Sequence, residues 1–151
     1  MKTFNSSSEI LEFAIGKEQE SIDFYAGLAR WVKSPAMKDV FTQFSLEETG
    51  HKKKLQRIEE SRIEICPIGR VLDLKIADYS VEPTPNEKMD YQKALLLAMQ
   101  REKASFRLYE DLASRAESED LRCTFLNLAQ EEARHKLRFE IEYDECILTD
   151  N

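Results

Sequence analysis

The sequence contains little glycine and proline, four of each among 151 residues, and its hydrophobic residues form no long run. A turn-rich all-β fold needs more of both turn-forming residues, so the composition favours long helices. A membrane span needs about 20 consecutive apolar residues, and the opening residues MKTFNSSSEI lack the apolar stretch of a signal peptide. We therefore predict a cytoplasmic protein without membrane association, folded as a single domain over residues 1–151.

Positive charge and cysteine are also scarce. The 22 lysines and arginines stand against 29 aspartates and glutamates, for a net charge of −7. Phosphate binding needs a basic surface, so this balance excludes nucleic acid as the main partner. Cys66, Cys123 and Cys146 are odd in number and form no CxxC pair. That spacing excludes a zinc-ribbon or rubredoxin site and fits reduced thiols.

Four stretches place apolar residues at steps of three and four, which is typical of amphipathic helices. They begin after the N-cap candidates Ser6, Ser34 and Ser118 and, for the third helix, near Asn86. Links of two to four residues predict two antiparallel hairpins, over about 6–64 and 86–145. The segment 65–85 is too long for a turn, and its apolar residues are expected to pack on the helices. The fold class is therefore an all-α four-helix bundle of two hairpins joined by one long crossover, with Cys146 in a tail.

The chain contains an internal repeat, because a shift of 84 positions aligns the two hairpins without a gap. The shift superimposes Glu18 on Glu102, Tyr25 on Tyr109, Glu48 on Glu132, and His51 on His135. Two packed copies of one hairpin predict a pseudo-two-fold bundle. Each copy would then supply half of any site at the axis.

The repeated positions carry a metal-ligand pattern. Both histidines of the chain close Glu-x-x-His motifs, Glu48 to His51 and Glu132 to His135, and residues three apart share a helix face. On the other two helices, Glu18 and Glu102 stand in the apolar stripe, where an uncompensated carboxylate is very costly. Two divalent cations would balance the four carboxylates. This is the ligand set of ferritin-like di-iron and di-manganese proteins.

Within this set, Glu48 and Glu132 are expected to bridge the ions. Glu18 with His51, and Glu102 with His135, would be the terminal ligands, although the sequence leaves open which histidine joins which glutamate. A single Glu-x-x-His is more often a solvated pair, but here both histidines have a glutamate at the same spacing and the same repeat offset. The neighbouring Glu47 and Glu131 are interpreted as surface charge. Tyr25 and Tyr109 are interpreted equally well as core residues or as hydrogen-bond donors to the ligand carboxylates.

These motifs, with the stretches EETGHKK and EEARHK, make the sequence similar to the rubrerythrin branch of the ferritin-like superfamily over nearly its whole length. The resemblance implies a non-haem di-iron oxidoreductase that reduces hydrogen peroxide or dioxygen in oxidative-stress defence, and a homodimer. It also implies that the metal ligands are Glu18, Glu48, His51, Glu102, Glu132 and His135.

The sequence departs from this family in two ways. Full-length rubrerythrins carry a rubredoxin domain with four cysteines, whereas this chain has no such motif, so we expect electrons from a separate donor protein such as a rubredoxin. The family also has a further carboxylate one turn after the third-helix ligand, where this chain has Ser105. Three alternatives stay open: a ferroxidase for iron handling, a regulatory metal-binding module without turnover, and manganese or zinc in place of iron.

Overall fold

The computed structural model describes residues 4–66, Tyr79 and 90–150 of the chain. These residues form four helices, α1 (Ser7–Trp31), α2 (Pro35–Ser61), α3 (Tyr91–Arg115) and α4 (Glu119–Asp150). They fall into two compact units, one containing α1 and α2 and the other containing α3 and α4. The predicted all-helical class is confirmed. None of the four helices has the length and hydropathy needed to cross a membrane.

The helices begin where short polar side chains cap them. The side chains of Ser6, Ser34, Asp90 and Ser118 accept hydrogen bonds from the backbone amide three residues later, at 3.1, 3.3, 2.8 and 3.4 Å. Each cap satisfies one of the amides that the first helical turn leaves without a partner. The caps at the three serines confirm those predicted starts. Helix α3 begins at Tyr91, later than the predicted start near Asn86, and residues 86–89 lie outside the described part.

The predicted end of the second hairpin near residue 145 was wrong, because α4 continues to Asp150 and includes Cys146. The sequence after Arg115 contains all of α4 and has no glycine or proline that would end this helix. The last turns also contact the start of α3, where the Tyr91 hydroxyl donates a hydrogen bond to Glu142 at 2.9 Å. The Gln92 side-chain amide also donates to the Cys146 sulfur at 3.9 Å, and this contact helps to hold α4 against α3 beyond the point where the sequence predicted a tail.

Helices α1 and α2 form an antiparallel hairpin with the three-residue link 32–34. The Ser45 hydroxyl donates to the backbone oxygen of Ile22 at 3.1 Å, and further along α2 the Lys52 ammonium donates to the Gln19 side chain at 2.6 Å. Later residues of α2 therefore meet earlier residues of α1, as an antiparallel pair requires. Helices α3 and α4 pack in the same way across the three-residue link 116–118.

The side chains at steps of three and four along each helix form its inward face and are buried, except for Ile58, Tyr91 and Ser105, which are half-buried. Within the first hairpin the Tyr25 ring stacks on the Phe41 ring, with centroids 6.3 Å apart. Four phenylalanines at these steps are fully or almost fully buried, namely Phe41, Phe44, Phe125 and Phe139. The steps of three and four therefore identified the apolar seam along each helix pair.

Three residues of the predicted crossover are described, and all three are buried. Ile65 and Cys66 follow α2, where the Ile65 amide donates to the Ser7 hydroxyl at 3.0 Å. Tyr79 donates its hydroxyl to Asp111 on α3 at 2.6 Å. The packing predicted for this segment is thus confirmed at these positions. The rest of the crossover lies outside the described residues.

Candidate metal centre

The first hairpin brings Glu18 of α1 level with Glu48 of α2. Each glutamate lies fifteen residues from Lys33, the middle of the link, so an antiparallel pair places them side by side. His51 follows Glu48 by nearly one turn and shares its face. The register of this hairpin therefore follows from its short link. It places Glu18 beside Glu48 and His51, which lie about 30 residues later in the sequence.

The geometry of this cluster is compact. The His51 Nδ1 atom lies 3.6 Å from a Glu18 carboxylate oxygen and 3.7 Å from a Glu48 oxygen. All three residues offer a ligand atom within 4.8 Å of the other two. The three residues are at most 2% exposed. We call these residues, Glu18, Glu48 and His51, the first half-site.

The second hairpin repeats the arrangement. Glu102 of α3 and Glu132 of α4 each lie fifteen residues from Glu117 in the link, and His135 follows Glu132 by three. The His135 Nδ1 atom lies 3.6 Å from a Glu102 oxygen, and the three residues offer ligand atoms within 4.8 Å of one another. They are at most 1% exposed. We call Glu102, Glu132 and His135 the second half-site.

The distances in both half-sites suit a shared metal ion better than a hydrogen bond. A hydrogen bond between nitrogen and oxygen spans about 2.7–3.2 Å, which is shorter than the 3.6 and 3.7 Å between imidazole and carboxylate. Two ligand atoms that are each about 2.1 Å from one ion lie about 3–4 Å apart. The donor set of each half-site therefore fits one ion with only small movements of the side chains.

The charge of each half-site also fits. Two carboxylates carry two negative charges, a neutral imidazole adds none, and one divalent cation balances them. Oxygen and nitrogen ligands without a thiolate favour iron, manganese or zinc over the softer metals. Among the described residues, none of the three cysteines belongs to either cluster. The metal-ligand roles of the six residues stay predictions that this geometry supports.

The tyrosines and glutamates that flank the predicted site differ in burial. Tyr25 and Tyr109 are both buried, and the Tyr25 ring lies against Phe41 and Phe44. These ring contacts support the core interpretation, and hydrogen bonding to a ligand stays a prediction. Glu47 and Glu131 are only half-buried and belong to neither half-site.

Sequence reasoning missed Arg101, which is only 8% exposed and directly precedes Glu102. The aligned residue of the first hairpin is Lys17, which is partly exposed and pairs with Glu20 at 3.2 Å. The repeat held a signal for this position, since a basic residue precedes the half-site glutamate in both copies. The second hairpin therefore buries the basic residue that precedes its half-site glutamate, whereas the first hairpin leaves the aligned lysine partly exposed.

Comparison with known proteins agrees with this geometry. The family model for Rubrerythrin matches residues 9–143. A hypothetical protein from Pyrococcus furiosus has a similar structure, with a TM-score of 0.72, 23% identity, and coverage of 92% of this chain and 89% of that one. A Thermotoga maritima protein, described as ferritin-like and diiron-carboxylate, gives a TM-score of 0.77 at 20% identity, covering 97% of this chain and 99% of that one.

No curated protein sequence matches the chain. The two structural likenesses show the fold, which is the ferritin-like four-helix bundle predicted from the helix pattern and the single long crossover. The family model extends over nine tenths of the residues, from α1 to the last turns of α4. The chain belongs to the Rubrerythrin family.

Proposed function

We propose that the six residues of the two half-sites hold two iron ions in an oxidoreductase that reduces hydrogen peroxide or dioxygen. One observation carries the proposal: each hairpin buries two carboxylates and one imidazole within reach of a single ion. Membership of the Rubrerythrin family supports it, as does the diiron-carboxylate description of the similar Thermotoga maritima protein.

The ligands have distinct roles in this proposal. Glu48 and Glu132 would be the shared ligands of the two ions, and Glu18 with His51 and Glu102 with His135 would be the terminal ligands. When bound, two ferrous ions supply the two electrons that reduce one molecule of hydrogen peroxide to two of water, with two protons taken up. Carboxylates suit this chemistry because hard anionic oxygens stabilise the ferric state. The buried phenylalanines keep water away from the site.

The electrons return from a separate donor protein. The described cysteines are dispersed thiols that offer no cluster for an electron-transfer iron. Ser105 is half-buried one turn beyond Glu102, and it supplies no further carboxylate to the site. The proposed chemistry therefore depends on the six residues alone.

The experiment loads the protein with ferrous iron under anaerobic conditions and mixes it with hydrogen peroxide in a stopped-flow spectrometer. We expect two irons bound per chain and two irons oxidised per peroxide, seen as ferric absorbance. Dioxygen is tested in the same way, and a faster reaction with one oxidant identifies the preferred substrate. Ferrous protein that reacts with neither oxidant would rule the proposal out.

The chain offers a matched pair of variants. Glu132→Gln removes one charge from the second half-site, and Glu131→Gln removes the same charge from its half-buried neighbour outside the cluster. We expect Glu132→Gln to lose most of its iron and its rapid oxidation, and Glu131→Gln to keep both. Equal loss in the two variants would point to general electrostatics and contradict the assigned ligand.

A further inference from the structure

A solvent-facing groove of the second hairpin combines positive charge with apolar side chains. It lies between α3 and α4 and has a volume of about 320 Å³, which is at the lower end of the range for pockets that bind small molecules. We call it the α3–α4 groove. Its cationic lining residues are Lys103, Arg107 and Lys136, and its apolar ones are Phe106, Ala133 and Leu137.

Two of the three cations in the α3–α4 groove are available to a ligand. The Lys136 ammonium forms an ion pair with Glu140, so its charge is already balanced. Lys103 and Arg107 are both exposed, and neither has a hydrogen bond or an ion pair within the described part of the chain. They lie four residues apart on α3 and therefore on one face of that helix. The groove thus has an excess of positive charge, although the whole chain has a net charge of −7.

The repeat shows that the fold does not require this charge, because the aligned positions of the first hairpin form a closed polar network. There the Lys52 ammonium donates to the Gln19 side chain at 2.6 Å, and the Gln19 amide donates to Asp23 at 3.0 Å. The residues of the second hairpin aligned with these three are all cationic, namely Lys136, Lys103 and Arg107. Like charges four residues apart on a helix are destabilising. An anion bound between the two free cations would relieve that repulsion.

The apolar part of the α3–α4 groove also differs between the two hairpins. The residues aligned with Ala133 and Leu137 are Thr49 and Lys53, which are polar. In the second hairpin Leu137 is 56% exposed and Phe106 is half-buried. Single apolar side chains on a surface are common, but these line one concave surface together with two unpaired cations. Such a surface favours a ligand that has both an anionic and an apolar part.

We propose that the α3–α4 groove binds a small amphipathic anion, which is a carboxylate or a phosphate monoester with a short aliphatic or aromatic body. Its head group accepts hydrogen bonds from the Lys103 ammonium and from the Arg107 guanidinium, whose planar fork suits both kinds of oxyanion. Its apolar body lies against Phe106 and Leu137 and removes them from water.

Charge and size both favour a small anion over an acidic protein. The Debye length is about 8 Å at physiological ionic strength, so a small anion in the groove is affected mainly by the nearby cations. An acidic protein would also face the rest of a chain whose net charge is −7, and surfaces of like charge repel. A stable protein contact also buries about 800 Å² of each partner, which is a far broader surface than this groove.

The experiment titrates the full chain with anilinonaphthalene sulfonate, an aromatic anion whose fluorescence rises when it leaves water. Phenylnaphthylamine, the same molecule without the sulfonate, serves as the neutral probe. We expect the anionic probe to bind more tightly than the neutral one and to bind more weakly as salt is added. Octanoate and octyl phosphate should displace it more readily than octanol does. The more effective of these two anions identifies the preferred head group.

The decisive variant gives the groove the residues of the first hairpin, Lys103→Gln with Arg107→Asp. The matched control is Lys53→Gln with Arg57→Asp, which makes the same change of charge at two exposed positions of α2 that are also four residues apart. We expect the groove variant to bind the anionic probe at least about tenfold more weakly, because it loses two charge-assisted hydrogen bonds. Its affinity for the neutral probe should match that of the wild type.

The control variant should bind both probes as the wild type does, and circular dichroism should show that both variants keep their helices. Equal affinity of the wild type and the groove variant for the anionic probe would overturn the proposal. So would a neutral probe that binds the wild type as tightly as the anionic one, or equal weakening in the control. Displacement of the probe by polyglutamate but by neither octanoate nor octyl phosphate would also overturn it, since the groove would then bind an acidic protein.

Discussion

At the scale of single residues, His51 and His135 are the chain's only histidines and occupy equivalent places in the two half-sites. If each completes the shell of one ion, His51→Ala and His135→Ala should have similar effects. We expect each variant to keep one ion and to bind the second at least about 100-fold more weakly, since loss of even an outer-shell partner costs 10–100-fold. Titration calorimetry with ferrous iron under anaerobic conditions measures both affinities.

The control for this prediction is Lys52→Ala. It removes the side chain next to His51 that donates to Gln19 but leaves the three donors of the half-site in place. Two tight ions should remain bound. If both histidine variants also bound two ions tightly, the histidines would be buried core residues and not ligands.

Tyr91 predicts a pH effect far from the metal centre. Burial, and then the hydrogen bond to the Glu142 carboxylate, raise the pKa of Tyr91 well above its ordinary value of 10.0. The neutral hydroxyl is therefore favoured in the folded protein. Its contribution to stability is complete below pH 10 and is lost as the pH rises above the unfolded pKa. The free energy of unfolding of the wild type should fall towards that of Tyr91→Phe over this range.

Urea unfolding of the two proteins between pH 8 and about pH 11 tests this effect. Glu142→Gln serves as a second variant, because it removes the negative charge that opposes tyrosinate. Its Tyr91 should ionise at lower pH, as seen by tyrosinate absorbance. A stability difference between wild type and Tyr91→Phe that does not change with pH would contradict the raised pKa.

At the scale of elements, the end of α2 holds the only residue other than glycine with a positive φ in the described part of the chain. Arg62 has φ 57° and ψ 22°, and its amide donates to the Glu59 oxygen at 3.1 Å. This left-handed conformation closes helices well but is strained for a residue with a Cβ atom, and glycine usually occupies it. Arg62→Gly should raise the free energy of unfolding by about 0.5–1 kcal/mol.

Chemical denaturation of the metal-free protein measures this gain. Arg62→Ala provides the control, since alanine keeps the strain while removing the exposed side chain, and it should not stabilise the protein. Equal stabilisation by both substitutions would show that the arginine side chain, and not the backbone, carries the cost.

The short link of each hairpin determines the register between its two helices. Both links are three residues long and both place the half-site glutamates fifteen residues from the middle residue. Lengthening a link by one or two residues would change this distance on one side only. The capping serines Ser34 and Ser118 start α2 and α4 at equivalent positions, so the two half-sites have the same geometry.

At the scale of the whole molecule, metal binding should stabilise the fold. Two divalent cations would balance the charge of the four buried glutamates. A ligand that binds only the folded state stabilises it by about 2.7 kcal/mol when the free ligand concentration is 100 times its Kd. For a chain of this size that corresponds to a rise in Tm of about 5–10 °C. Thermal unfolding under anaerobic conditions, with ferrous iron or with a chelator, measures the difference.

The double variant His51→Ala with His135→Ala is the control, because its Tm should respond to the chelator much less. An identical Tm for the loaded and the chelated wild type would mean that the carboxylates are accommodated without metal.

The amino-acid sequence alone predicted the four helices, the serine caps of three of them, the two antiparallel hairpins and the six candidate ligands. It could do so because helix periodicity and capping are local, and because Glu-x-x-His lies on one helix face at any register. The 84-residue repeat added the pairing of Glu18 with Glu102, which no local pattern contains.

The remaining features depend on how distant segments pack against each other. The length of α4 beyond residue 145 depends on contacts such as that between Gln92 and Cys146. The burial of Arg101 against the partial exposure of Lys17 depends on the neighbours of each helix. The placement of His51 beside Glu18, 33 residues earlier in the chain, depends on the register between two helices. Such features arise from packing between distant segments, which sequence periodicity along one segment does not encode.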